Sequence, residues 1–209
     1  MRHPNNLIGL SFLCFLLLPS VACADPAQIL GERLKAIGSM RAEFEQTTVN
    51  SYGDTTNTSQ GTLSLKRDGY FLIQTKTPFP QTLVADGVDL FTFDEDLNQV
   101  VVKPLVRDVK QVPILVFGHP DQSFLEGYQV TQIDEQSYTQ FLLKPQTPDG
   151  IFDRMVLKFR GAAPLGIDLH DSLGQNTQIL LSNVKTNIVL ADSMFEFTVP
   201  AGVDLIDDR

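Results

Sequence analysis

Between Gly61 and Gln99 the chain alternates apolar and polar residues and is broken by Asp-Gly pairs, a pattern that leaves few folds open. Leu63 and Leu65 alternate with Ser64 and Lys66, the two-residue rhythm of a strand with one buried face. Asp68-Gly69 follows, and a two-residue type I′ turn needs the positive φ that Asp tolerates and Gly favours. Such a turn sets Arg67 opposite Tyr70, Leu65 opposite Leu72 and Leu63 opposite Gln74. Opposed residues share a face, so Arg67 is expected on the apolar side. Two readings of it stay open: a hairpin tip bent into water, or an interior cation held by acceptors around a cavity. A second hairpin, 82–85 with 88–93 around Asp86-Gly87, pairs Ala85 with Val88 and Leu83 with Leu90, again building one apolar face.

The flanking chain fits a sheet that needs covering. Asp25 as N-cap, Pro26 at the first helical position and Gln28 at the third open a helix. Ile29, Leu30, Leu34 and Ile37 form its apolar stripe, and Gly38 ends it. Met40, Ala42 and Phe44 mark a first strand, and the polar run 50–60 reads as a long connection or a frayed edge. Pro78 and Pro80 interrupt the ladder, and 100–102 is a further short strand. Between Lys103 and Gly127 the strand rhythm disappears. There Pro113, Ile114, Leu115, Val116 and Phe117, closed by Gly118, read as a short helix apolar all round, either buried or a lid over something apolar. Strands resume at 128–133, 138–143, 155–159, 165–171, 178–181 and 195–199.

About eleven strands with few helices predict a mainly β fold. We expect one strongly curved antiparallel sheet, an incomplete β-barrel, with the N-terminal helix and the 103–127 segment across its concave side. Leu63, Leu65, Leu72, Leu83, Leu90, Met155, Leu157 and Phe159 are the candidates for that concave face. It is either filled by the helices as ordinary core or kept open as a cavity for a long apolar ligand. Each buried methylene contributes about 0.8 kcal/mol, so acyl chains need no specific polar contact to bind there.

Residues 1–24 read as a cleaved signal peptide. Arg2 precedes an apolar core from Leu7 to Leu18, too short to span a membrane, and Ala22-Cys23-Ala24 is an Ala-x-Ala site with cleavage after Ala24. Lipid attachment at Cys23 competes with this reading, but Ser20 stands where a lipoprotein site wants a large aliphatic residue. Residues 25–209 are expected to be a single domain. Both cysteines leave with the signal, and Arg2 is its only charged residue. The 15 basic and 25 acidic residues that remain give a net charge of −10, against nucleic-acid binding and against resting on an anionic membrane.

Chemistry is hard to find. His119 and His170 have no partners at ligand spacing, so no metal or cofactor is expected. Asp94-Glu95-Asp96-Leu97-Asn98 imitates the start of a calcium loop, but Gln99 stands where Gly is needed and Leu105 where Glu is needed. There is no Gly-x-Ser-x-Gly elbow and no cysteine nucleophile after the signal, so no enzyme is expected.

Several short stretches taken in order resemble the LolA family of periplasmic lipoprotein carriers, over essentially all of 25–208. They are Gly61-Thr62-Leu63 through Lys66-Arg67 to Phe71, Val84-Ala85-Asp86-Gly87, Asp94 to Leu97 with Gln99, and Phe141-Leu142-Leu143-Lys144-Pro145. Asp171-Ser172-Leu173-Gly174-Gln175, Phe195-Glu196-Phe197 and Pro200-Ala201-Gly202-Val203-Asp204 complete the set. The resemblance implies a non-enzymatic, monomeric periplasmic carrier whose cavity takes the acyl chains of lipoproteins. It would receive them from the inner-membrane ABC transporter LolCDE and pass them to the outer-membrane receptor LolB. It also implies that Arg67 is a latch bonding the backbone carbonyls of a lid at Pro113–Gly118, and that Phe71 lines the cavity. Where the family has Pro after the arginine, Trp two residues after that Phe and Trp in the next hairpin, this chain has Asp68, Ile73 and Phe91. Phe91 is therefore expected among the cavity residues. The alternative is a LolB-like receptor anchored at Cys23.

Overall fold

The computed structural model describes residues 24–105, 113–118, 122–147 and 152–209. The expected signal segment, apart from Ala24, and Cys23 lie outside the described residues, as do 106–112 and 119–121 of the expected lid segment.

Helix α1, Pro26–Lys35, starts as its sequence dictates, with Asp25 Oδ1 accepting from the Ala27 amide at 3.0 Å. Leu30 and Leu34 on its apolar stripe are fully buried. Twelve strands follow: β1 (Ser39–Val49), β2 (Thr55–Lys66), β3 (Tyr70–Thr77), β4 (Gln81–Asp86), β5 (Asp89–Asp94), β6 (Gln99–Pro104), β7 (Tyr128–Asp134), β8 (Thr139–Pro145), β9 (Phe152–Arg160), β10 (Ala163–Asp171), β11 (Asn176–Thr186) and β12 (Asp204–Asp207). The sheet runs β12-β6-β5-β4-β3-β2-β1-β11-β10-β9-β8-β7, with β12 and β7 as open edges. Every pair is antiparallel except β12 on β6. A 3-10 helix, Pro113–Phe117, and a short helix α2, Gln122–Glu126, interrupt the strand series. The polar run expected as a connection is mostly β2, and 195–199 is not a strand but part of a tail that leads to β12.

Two glycines mark close approaches within the sheet. A Cβ at Gly61 would lie 2.0 Å from the Gln74 carbonyl oxygen, and one at Gly166 would lie 2.2 Å from that of Ile179. Backbone thus approaches too closely for any other residue where β2 lies against β3 and where β10 lies against β11, one place on either side of β1.

The first hairpin corrects the expected register. Its loop has three residues, Arg67 to Gly69, so Lys66 pairs Tyr70, Leu65 pairs Phe71 and Leu63 pairs Ile73. Asp68 and Gly69 both take positive φ, at 67° and 86°. One extra loop residue inverts the faces of β3: Phe71 and Ile73 point into the concave core, and Leu72 points out. In the second hairpin Asp86 accepts from the Val88 and Asp89 amides, so Gly87-Val88 becomes the turn and Ala85 pairs Leu90. Facing is unchanged there, because the slip is by two.

The sheet has a core on each face. The concave core joins α1 and the 3-10 helix to Met40, Leu63, Leu65, Phe71, Phe141, Met155, Leu157, Phe159 and Ile167. On the convex side the tail covers Val84, Val100 and Val102 with Leu190 and Phe195, all buried. Tyr70 meets Phe195 edge-on at 5.9 Å, and Phe197 stacks on Phe91 at 5.4 Å. Lys66 is ion-paired with Asp192 of the tail, and that bond holds the lysine pKa above its ordinary value.

Candidate functional site

At one end of the sheet the connections 50–54, 78–80, 95–98 and 172–175 come together, as the antiparallel order requires. Each carries a large exposed apolar residue: Tyr52, Phe79, Leu97 and Leu173. Inside this rim lies a cavity of about 490 Å³. Its depth is formed by Phe44 of β1, Leu63 of β2, Ile73 of β3, Leu83 of β4, Ile179 of β11 and Ile114 of the 3-10 helix. Nearer the rim the wall turns polar, with Gln46 on β1, Asn57 and Ser59 on β2, Thr75 on β3, Gln81 on β4 and Asp94 on β5. Pro78 and Phe79 border the opening. The volume falls in the range of about 300–1,000 Å³ typical of ligand sites. The arrangement suits an amphiphile with its tail inward.

The opposite half of the concavity is filled. Phe117 of the 3-10 helix packs edge-on against Phe159 at 5.8 Å, and Phe159 against Phe141 at 5.9 Å. Arg33 of α1 lies over both of those rings, 5.4 Å from Phe141 and 5.7 Å from Phe159, and Nη1 donates to the Gly161 carbonyl at 2.8 Å. The short helix is covered from Ile114 to Phe117. Ordinary core and open cavity, alternatives in the sequence, therefore share one concave face.

The structure moves several expected site residues. Leu63 and Leu83 line the cavity. Leu65, Phe71, Met155, Leu157 and Phe159 belong to the packed core beside it, and Leu90 packs against that core. Leu72 and Phe91 are corrections, because both lie on the convex face. Leu72 follows from the shifted hairpin register; Phe91 pairs with Val84 and Val102 beneath the tail. Pro113 and Ile114 face the cavity, whereas Leu115, Val116 and Phe117 are packed away. Gly118 sits against Leu65, its Cβ position 3.4 Å from that side chain.

Arg67 is exposed overall yet tied down, and its acceptors differ from those expected. It donates through Nη2 to the Lys35 carbonyl and through Nε to the Ile37 carbonyl at 3.4 Å, at the C-terminal end of α1. Both of its side-chain hydrogen bonds among the described residues go there, not to the carbonyls of Ile114–Phe117. A guanidinium at this position also complements the negative end of the helix.

Gln46, Asn57, Ser59, Thr75, Gln81, Ile179 and Arg33 were not among the expected site residues, and Ile73 was noted only as standing where the family has Trp. The correct hairpin register would have identified Ile73 and Thr75, since both share the face of Phe71. The calcium-like run is a hairpin tip in which Asp94 Oδ1 accepts from the Leu97 amide at 3.0 Å. No helix among the described residues is long and apolar enough to cross a membrane.

The family model for "Outer membrane lipoprotein carrier protein LolA" matches residues 35–198. The chain belongs to the LolA family. An outer-membrane lipoprotein carrier protein of Pseudomonas syringae pv. tomato is 33% identical over 196 residues, 94% of this chain and 95% of that relative. Among solved structures, a conserved protein from Thermus thermophilus aligns with a TM-score of 0.58 at 13% identity, over 87% of this chain and 98% of its own. A LolA superfamily protein from Nitrosomonas europaea aligns at 0.50 and 14% identity, over 83% and 99% of the two chains. These structural likenesses establish the curved, open LolA sheet as the fold.

Proposed function

We propose that this LolA-family chain is a periplasmic carrier that shelters the acyl chains of lipoproteins and shuttles them from the inner-membrane transporter LolCDE to the outer-membrane receptor LolB. Its role is carriage, not catalysis. The observation that carries the reading is the cavity of about 490 Å³, apolar in its depth and polar at its mouth. Burying about ten methylenes there contributes roughly 8 kcal/mol, equivalent to micromolar binding before any head-group contact. The exposed residues of the rim surround the opening through which cargo would pass between partners. Arg67 serves as the latch of α1, holding the helix against the sheet end remote from the mouth, and the Pro113–Gly118 segment closes over the apolar half as lid.

Native mass spectrometry of the exported full chain tests this. The chain should be recovered with acylated polypeptide bound, and Leu83→Arg, which sets a cation in the apolar depth, should abolish that occupancy while the fold persists by circular dichroism. A chain that comes out of cells free of acylated cargo, and takes up none from a purified transporter in vesicles, is not a carrier. The same spectrum gives the mass of the N-terminus: one starting at Asp25 fits a carrier, and diacylated Cys23 fits an anchored receptor.

A further inference from the structure

The polar part of the cavity wall is unused by the protein itself. Gln46, Asn57, Ser59, Thr75 and Gln81 line the mouth on four adjacent strands. None of the five has a side-chain hydrogen bond among the described residues. Asp94, the sixth member, gives one carboxylate oxygen to its own turn and lines the same opening. All but Asn57 are half-buried, so they face the cavity rather than open solvent. No Lys, Arg or His stands among the described residues that line it.

We infer that this collar selects the cargo by its head group, accepting uncharged ester and amide heads and excluding anionic phospholipids. The inference rests on the carrier reading and names what the carrier must refuse. An acyl cavity alone cannot tell a lipid-modified cysteine from a membrane phospholipid, because their tails are the same. The heads differ. A diacylglyceryl cysteine offers ester and peptide carbonyls as acceptors and a peptide N–H as donor. The amides of Gln46, Asn57 and Gln81 both donate and accept, and the hydroxyls of Ser59 and Thr75 do the same. The collar thus offers donors for the head's carbonyls and acceptors for its N–H. A phosphate diester in the same place exchanges water for a ring without a cation, beside the Asp94 carboxylate. Burying an unpaired charge is unfavourable, and a like charge adds to it.

The experiment is a competition. The exported full chain is mixed with equal amounts of N-acetyl-S-diacylglyceryl-cysteine amide and of phosphatidylglycerol carrying the same acyl chains, and the bound masses are counted. The neutral amphiphile should be bound at least tenfold in excess. Gln81→Arg places a cation in the collar and should reduce that preference to about threefold or less. Asn57→Lys, at an exposed position that tolerates charge, should act in the same direction if the first variant folds poorly. Equal binding of the two amphiphiles by the native chain overturns the proposal, as does an unchanged ratio in a folded cationic variant. Uptake of neither amphiphile removes the carrier reading as well, a result distinct from non-selective uptake.

Discussion

Gly61 shows how much one hydrogen atom can decide. Phe44 lies opposite it on β1, and the Gln74 carbonyl approaches from β3 to where a Cβ would be, at 2.0 Å. Carbonyl backbone cannot rotate away as a side-chain tip can, so Gly61→Ala must push β2 and β3 apart. We expect a loss of about 3 kcal/mol, read as a fall of roughly 6–12 °C in Tm; an unchanged Tm by differential scanning calorimetry would show that the strands do not pinch here. His170 makes a gentler case. Burial, and then the Arg154 guanidinium 3.2 Å from its Nδ1, hold its pKa below the ordinary 6.5. The folded chain therefore binds the proton less well than the unfolded chain. Stability contributed by neutral His170 is complete above pH 6.5 and declines as pH falls through that value and on through the depressed one. His170→Gln should flatten the slope of Tm between pH 7 and pH 5, and a slope equal to that of the native chain would assign the titration elsewhere.

At the scale of the element, two arginines fix α1 from opposite directions. Arg67 reaches from the β2–β3 loop to the last carbonyls of the helix, and Arg33 reaches from the helix to the β9–β10 turn and over two core rings. Phe117 of the lid shares the Phe159 ring with Arg33, so helix and lid rest on one aromatic support. Arg33→Met keeps the apolar stem and removes the charge. It should cost about 2 kcal/mol from the lost carbonyl bond and cation–π contact. Amide exchange should quicken in 114–117 before it does in β1, and uniform quickening throughout the sheet would deny any special coupling between helix and lid. The hairpins carry the lesson about legibility. Asp-Gly marked the place of both turns, but composition does not fix which residues, or how many, form the loop. One extra residue in the first loop sent Leu72 outward and Ile73 inward, while the second hairpin shifted by two and kept its faces.

Across the whole molecule, one sheet carries two cores and, on its concave face, the cavity behind the rim. The tail from Asn187 onward, anchored by the Lys66–Asp192 pair and by Phe195 and Phe197, covers the convex face of β3 to β6 and ends as β12 on the edge of β6. Phe91 and Phe93 alternate with Leu90, Thr92 and Asp94 along β5 and so lie on the convex face, where Phe197 of that tail packs against both rings. The concave face is divided between a packed half under α1 and the 3-10 helix and an open half at the rim. By itself the sequence determined the places of β1 to β11 (though not of β12), the capped helix, the short apolar helical turn at 113–117 and the kind of sheet, since each follows from neighbours within a few residues. Which residues face the cavity, what Arg67 holds and where polar side chains gather at the mouth were decided only by tertiary structure. Those depend on loop length, close backbone approaches at glycine and strand order, which bring together residues far apart in the chain that no local pattern relates.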